Sequence, residues 1–465
     1  MLKNLINKEI REIIQSTKFV ISFSVCSLLI ILTFYVGAKS YHVNKSQFDS
    51  AAAENLRGME GVTDWRMIDH NISLPPFPLA FLVSGISNDI GRNIKMSGYG
   101  ELTAKDSKYN EDLIYAAFRF LDLDFIFQVI LSLFAVLLAY NSVNGEKELG
   151  TLRLIFSNSV PRDKYILAKI LGSFLAVALP LLIPFLIGML LLILLNVPFT
   201  STDWLKLLLI ISTGFLFFGS FITLSVFVST LTKKSSNSFL FLLVTWILFV
   251  LVIPRASILL AASAVEVPSV DKLNFQKNVF ANQLSEEHVN ALKSFKSSGA
   301  GDVIEEFQKY MAEKNATREE KMNAFSKQLE EERNNRQNAQ QDLSFTIARV
   351  SPAASFSFAV SNLAGTSLEL IKNYRDQAKN YQKVFADFQI DKTGSTTTSG
   401  MVMVVRKTGG DVKTINPSEL PKFNFTQPDL SNVLSASIID IGLLAFFNIL
   451  FFAGSFVTFL KYDLR

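Results

Sequence analysis

Six apolar runs, each long enough to cross the ~20-residue hydrocarbon core of a bilayer, restrict this chain more than any other feature. They occupy residues 18–37, 121–143, 166–196, 205–230, 237–262 and 434–460. With 49% hydrophobic and only 18% charged residues, and 41 Phe among 465, the chain is too apolar for a water-soluble domain. The expected class is an all-α polytopic membrane protein with six transmembrane helices. The third run carries Pro180 and Pro184 but no polar turn between its halves, which predicts one kinked span rather than two short ones.

Several stretches lie outside the spans. Residues 1–17 set Leu2, Leu5, Ile6, Ile10, Ile13 and Ile14 at helical spacing against Lys3, Lys8, Glu9, Arg11 and Glu12, the pattern of an amphipathic interfacial helix. It is not expected to be a cleaved signal peptide, because the charged region is too long and no clear small-residue cleavage site follows the apolar run. Residues 38–120 and 263–433 are polar, mainly helical insertions. The first is expected to begin as helix over 41–60, to loop around Pro75, Pro76 and Pro78, and to end in a short helix over 110–121. In the second, Thr317 and Glu320 form a capping box ahead of Met322, Phe325 and Leu329. A long solvated helical arm follows, with the charge runs 305–321 and 330–336 on its faces. Residues 351–371 turn more apolar and are expected to lie along the membrane surface. A small β-hairpin is expected over 401–405 and 412–415 around Gly409 and Gly410.

Basic residues in the short connections give an orientation. Lys3, Lys8, Arg11 and Lys18 precede the first run, and Lys147, Arg153, Arg162 and Lys164 follow the second. Lys233 and Lys234 follow the fourth, and Lys461 and Arg465 the sixth, whereas the short loop 196–204 has none. Both termini and residues 144–165 are therefore expected in the cytoplasm and both insertions outside.

Residues 140–169 are a charged, helix-forming segment wedged between two spans. Glu146, Lys147 and Glu148 favour helix, Gly150 can end a turn, and Thr151 resumes an apolar-rich pattern. The sequence E-K-E-x-G-T-L-R-L over 146–154, followed by V-x-R over 160–162 and a later Lys, resembles the coupling segment of type-2 ABC transporter permeases. L-P-P-F-P-L-A-F-L-V-S-G-I, S-P-A-A-S-F and L-A-G-T resemble the branch of that family with large extracytoplasmic insertions. The resemblance implies a permease subunit of the cell membrane (the inner, cytoplasmic membrane), working in an assembly of two permeases, a second copy or a paralogue, with a cytoplasmic ABC ATPase dimer. It also implies a short exposed coupling helix that docks on the ATPase, with Glu146, Lys147, Glu148, Gly150, Thr151, Arg153 and Arg162 as the ATPase-coupling residues. ATP and Mg would then bind the partner ATPase, and export or force transmission would follow. The competing class is a non-transporting membrane receptor or scaffold whose outer arm binds a protein.

Other chemistry is absent from the sequence. No G-x-x-x-x-G-K-[ST] loop occurs, so no catalytic or cofactor site of that kind is expected in this chain. The three histidines, His42, His70 and His288, have neither metal-ligand spacing nor an H-E-x-x-H pattern. Cys26, the single cysteine, excludes an intrachain disulfide and reads as a core thiol. Met401 and Met403 read as packing on one strand face rather than as copper ligands. A net charge of +4 with dispersed basic residues argues against nucleic acid and leaves membrane lipid as the surface partner. Three charges stand out, because Arg255, Asp124 and Asp440 all fall roughly 25–30 Å above the cytoplasmic ends of their spans at ~1.5 Å per residue. Charges at that level are expensive unless paired or snorkelled, so independent snorkelling to the outer headgroups and a pair of Arg255 with Asp440 or Asp124 are both carried forward as expectations.

Overall fold

The computed structural model describes residues 1–65, 68, 70–87, 90, 93–96, 104–105, 122–157, 160–295, 303–393 and 414–462. The chain forms two compact units, one of Met1–Val252 with Arg349–Arg465 and one of Ile253–Ala348. Among the described residues six helical stretches are long and apolar enough to cross a membrane: Thr17–Arg57, Leu123–Glu148, Arg162–Leu194, Ser201–Leu231, Ser235–Ala264 and Leu430–Leu460. The protein is an all-α polytopic membrane protein.

The first unit begins with α1 (Leu2–Ile14) and α2 (Thr17–Arg57), the latter capped by Ser16, whose hydroxyl accepts from the Phe19 N–H at 3.2 Å. Because no proline interrupts α2, the helix expected over 41–60 is a direct continuation of the first span. The second span starts as α3 (Leu123–Phe125), passes through a π-helical turn (Ile126–Leu131) and continues as α4 (Ser132–Ala139). Two short helices follow, α5 (Asn144–Glu148) and α6 (Thr151–Ser157). Next come α7 (Arg162–Leu194), one helix despite its two prolines, and α8 (Ser201–Leu231). The fifth span opens as α9 (Ser235–Trp246) and a second π-helical turn (Ile247–Val252). Pro254 cannot donate the i→i−4 bond to Val250, which accounts for the irregular ladder there. α8 is the hub of the bundle, its apolar stretch being mostly buried where that of the fifth span is mostly exposed.

One expectation is overturned here. α13 (Pro352–Ala364) does not lie along the membrane surface; it enters the bundle and packs against α8 and α15 (Leu430–Leu460). Phe356 is fully buried and stacks on Phe217, midway along α8, at 4.7 Å between ring centroids. Lipid tails are as apolar as leucine, so such a helix gains from close packing rather than from leaving water. Ala353, Ala354 and Ala359, all buried, are small enough to admit neighbours on different sides of the helix. The Ser351 side chain caps α13, accepting from the Ala353 N–H at 3.1 Å, and donates to the Phe249 carbonyl inside the π-helical turn of the fifth span.

The two insertions, separate in sequence, share one core on the side of the bundle away from the chain ends. β1 (His70–Ser73), β2 (Asn93–Met96) and β3 (Ala104–Lys105) form a small antiparallel sheet in the order β1-β2-β3, a feature absent from the sequence expectation. Ile72, Ile94 and Met96 of this sheet pack against Tyr374, Tyr381 and Phe385 of α14 (Glu369–Thr393). His70 sits at the join. Tyr381 Oη donates to the Pro421 carbonyl at 2.6 Å and so accepts from His70 Nε2 at 2.9 Å, leaving Nδ1 to accept from Asn55 Nδ2 at 3.1 Å. That set of bonds holds the imidazole neutral, and burial lowers its pKa to about 4. The helix expected over 110–121 and the hairpin over 401–415, apart from Thr414 and Ile415, lie outside the described residues.

The second unit is a helical hairpin of α10 (Ile253–Ala264), α11 (Val270–Lys293) and α12 (Val303–Ala348). Lys277–Glu330 at 2.9 Å, Lys321–Glu287 at 3.1 Å and the Phe280–Phe325 ring contact at 4.2 Å tie α11 to α12. The capping box at Thr317 is not formed. α12 runs unbroken through that position, and Thr317 Oγ1 donates back to the Glu313 carbonyl at 2.9 Å, as a mid-helix threonine does.

Candidate functional site

The segment between the second and third spans is built from two short helices and a sharp turn. Gly150 has φ +71°, a left-handed conformation that a side chain would strain, and it lets α6 leave α5 at an angle. The charged side chains of this segment point to five different helices.

Glu146 turns inward rather than onto an exposed face, and its side chain is only 12% exposed. Its Oε1 takes Lys169 Nζ of α7 at 2.9 Å and Lys8 Nζ of α1 at 3.2 Å, and its Oε2 accepts from Tyr165 Oη at 2.5 Å. Lys169 also holds Glu9 Oε2 of α1 at 2.6 Å, with both side chains 7% exposed. Burial pushes the Glu9 carboxyl above the ordinary glutamate range, an effect that Lys169 opposes.

Lys147 Nζ donates to the carbonyls of Thr230 at 2.6 Å and Thr232 at 3.2 Å, which close the C-terminal end of α8, and lies 4.4 Å from the Tyr462 ring centroid. Glu148 accepts from the backbone N–H of Ser235 at 2.9 Å and from its hydroxyl at 2.6 Å, a carboxylate at the N-terminus of α9. Arg162 Nη1 donates to the Leu460 carbonyl at 2.7 Å and that of Tyr462 at 3.2 Å, at the C-terminal end of α15. Asn144 reinforces the α8–α9 corner, donating to Thr232 Oγ1 at 2.9 Å and accepting from Ser235 Oγ at 3.2 Å.

Of the seven residues singled out from sequence, Glu148, Gly150 and Arg153 are exposed, while Glu146, Lys147, Thr151 and Arg162 are partly covered. Two residues not singled out form the most prominent exposed feature, Leu149 at 79% and Leu154 at 67% exposure. Sequence reasoning also passed over Lys8, Glu9, Tyr165 and Lys169. A signal was present for Glu9, because positions 5, 9 and 13 fall on one face of a helix and Glu9 interrupts the apolar stripe of α1.

At the opposite end the intramembrane charges find partners other than the one expected. Asp440, fully buried in α15, receives a two-pronged bond from Arg349, Nε to Oδ1 at 2.7 Å and Nη2 to Oδ2 at 3.1 Å. Asp124 Oδ2 accepts from Ser357 Oγ at 2.8 Å. Both carboxylates are thus served by residues in or just before α13, so the cation for Asp440 is Arg349 where the sequence had suggested Arg255, which lies on α10. Asp122, which the sequence did not flag, caps α3 through Oδ1 to the Phe125 N–H at 2.9 Å and holds the Ser84 N–H through Oδ2 at 2.9 Å. Among the described residues no group of three or more His, Cys, Asp or Glu is placed to hold a metal ion.

The profile of the family described as ABC-2 family transporter protein matches residues 3–464. No curated protein matches the chain.

Proposed function

The chain belongs to the ABC-2 family of transporter proteins and is a transmembrane component of an ABC transporter, and from this we propose that it converts hydrolysis by a separate ATPase subunit into movement of its own bundle. The observation that carries this reading is the dispersal of bonds from residues 144–165. Glu146 reaches α1 and α7, Lys147 the end of α8, Glu148 the start of α9 and Arg162 the end of α15. A push on so short a segment reaches most of the bundle at once. Leu149 and Leu154, exposed beside Glu148 and Arg153, offer an apolar contact with a charged rim, the composition of a protein-binding patch rather than of a solvated loop.

In this reading ATP and Mg2+ bind an ATPase dimer, a second permease copy or a paralogue completes the assembly, and the outcome is export or force passed to the outer side. In the same reading the termini and residues 144–165 face the cytoplasm of the cell membrane and the insertions face outward, an orientation supported by the distribution of lysine and arginine. An impermeant thiol reagent applied from outside should label Asn334→Cys and leave Ser157→Cys unlabelled; the reverse result inverts the assignment.

The decisive test is the double variant Leu149→Asp/Leu154→Asp, which alters only exposed side chains. It should insert normally yet lose a copurifying ATPase bearing a phosphate loop, together with its ATP hydrolysis. Glu146→Lys is a poorer probe, since it sets a third cation beside Lys8 and Lys169. Retention of the ATPase and its hydrolysis by the double variant refutes the docking surface, and purification of the unaltered chain bound only to an outer soluble protein favours a receptor.

A further inference from the structure

A carboxylate in the middle of the apolar stripe of an interfacial helix is unfavourable unless something holds it there. Glu9 is held closely. Gly172 on α7 leaves the space it occupies, since a methyl group built there would come within 2.6 Å of Glu9 Cβ. Ser173 Oγ donates to Glu9 Oε1 at 3.4 Å while Lys169 takes Oε2. The same Lys169 holds Glu146, and Lys8 of α1 closes the circuit from the outside. Two cations and two carboxylates from three elements therefore meet at one site; Glu9, Glu146 and Lys169 are shielded from water while Lys8 stays half-exposed, so an unpaired charge among those three is costly and their arrangement is correspondingly stiff.

We propose that Lys169 is a positioning residue that makes α1 a moving part of the coupling machinery, binding it to the 144–157 segment so that the two travel as one body. α1 is followed after two residues by α2, so displacement of α5 reaches the first span through Glu146, through Lys169 on the third span, and through Glu9. The contacts made by Lys147, Glu148 and Arg162 are exposed or half-exposed hydrogen bonds to helix ends and yield more easily. The inference rests on the reading that this segment receives movement from an ATPase.

The test uses the full chain purified with its ATPase and reconstituted in lipid, carrying spin labels at Lys3→Cys and Ser157→Cys, both at exposed positions, with buried Cys26 left in place. The distance between the labels should be the same with and without nucleotide. In Gly172→Ala, which keeps every charge and crowds Glu9, and in Glu9→Gln, the distance should become nucleotide-dependent. Hydrolysis by the assembled complex should fall at least tenfold with the ATPase still bound, while Lys169→Arg retains both behaviours. A nucleotide-dependent distance in the parent, or parental hydrolysis in both Gly172→Ala and Glu9→Gln, overturns the proposal. The parent measurement decides the matter should either variant fail to assemble. A parent chain that captures no ATPase refutes the underlying reading, and this inference with it.

Discussion

α1 and α13 are helices of the same length, 13 residues each, and neither can cross a bilayer alone, yet they meet opposite fates. α1 buries only Glu9 and Ile13 and keeps lysine, arginine and asparagine along its exposed side. α13 carries no charge and buries nine of its residues, among them Pro352, Ala354, Phe356, Val360 and Leu363. A helix with charges around most of its circumference must stay where they can be solvated, and it can commit one ionised group inward only against a ready partner. A helix with none can be enclosed on every side, provided its small residues admit its neighbours. Both helices nevertheless present a polar group to a span. Glu9 projects from α1 to Lys169, and Arg349, just ahead of α13, reaches Asp440.

The contrast can be broken most forcefully at Phe356. Truncation to Ala removes a ring that stacks on Phe217 and lies 5.5 Å from Phe127, and it should cost about 3–5 kcal/mol in a purified-protein unfolding assay. A loss below about 1 kcal/mol would mean that α13 is not enclosed. Arg349→Ala comes next. It strands the fully buried Asp440 carboxylate and should cost about 3 kcal/mol, with a double-mutant cycle giving a coupling above about 1 kcal/mol. Absence of coupling would reduce that pair to proximity.

Acid should act on the module into which α13 leads. His70 is buried neutral with its pKa lowered to about 4, whereas the unfolded chain takes up a proton near the ordinary value of 6.5. Its contribution is therefore complete above pH 6.5 and is lost as the pH falls toward 4, by at most about 3 kcal/mol. Melting curves between pH 7.5 and 5 should show this loss, and His70→Leu should flatten the pH dependence; an unchanged profile would show that His70 is not the titrating group. The smallest effect is expected on the exposed side of α1, where Asn7→Ala should stay within about 0.5 kcal/mol in the same melts. A larger loss would mean that this side of α1 is covered as α13 is.

Local pattern and partner choice were legible to different degrees in the sequence. Fold class followed from six apolar runs, because a bilayer imposes its length on each span whatever its neighbours are. The segment 144–165 stood out for the same reason, as a charged interruption between two such runs. Local signals failed where a longer context overrode them. Thr317 and Glu320 form an N-terminal signature inside a helix that had already begun at Val303. The sheet was missed because β1, β2 and β3 are only two to four residues long, too short for alternation to register.

By itself, then, the sequence determined that this chain is helical and membrane-spanning, that α1 is amphipathic, and that a charged element joins the second and third spans. All of these depend on residue spacing within one stretch. Only the tertiary structure decided that Asp440 pairs with Arg349, that Glu146 faces Lys169, that α13 lies inside the bundle and that two distant insertions close over His70. Each of those joins residues from separate elements. A charge in a membrane protein requires a partner, but the requirement does not say which one, and the choice is made by the packing that brings one cation within about 3 Å of one carboxylate.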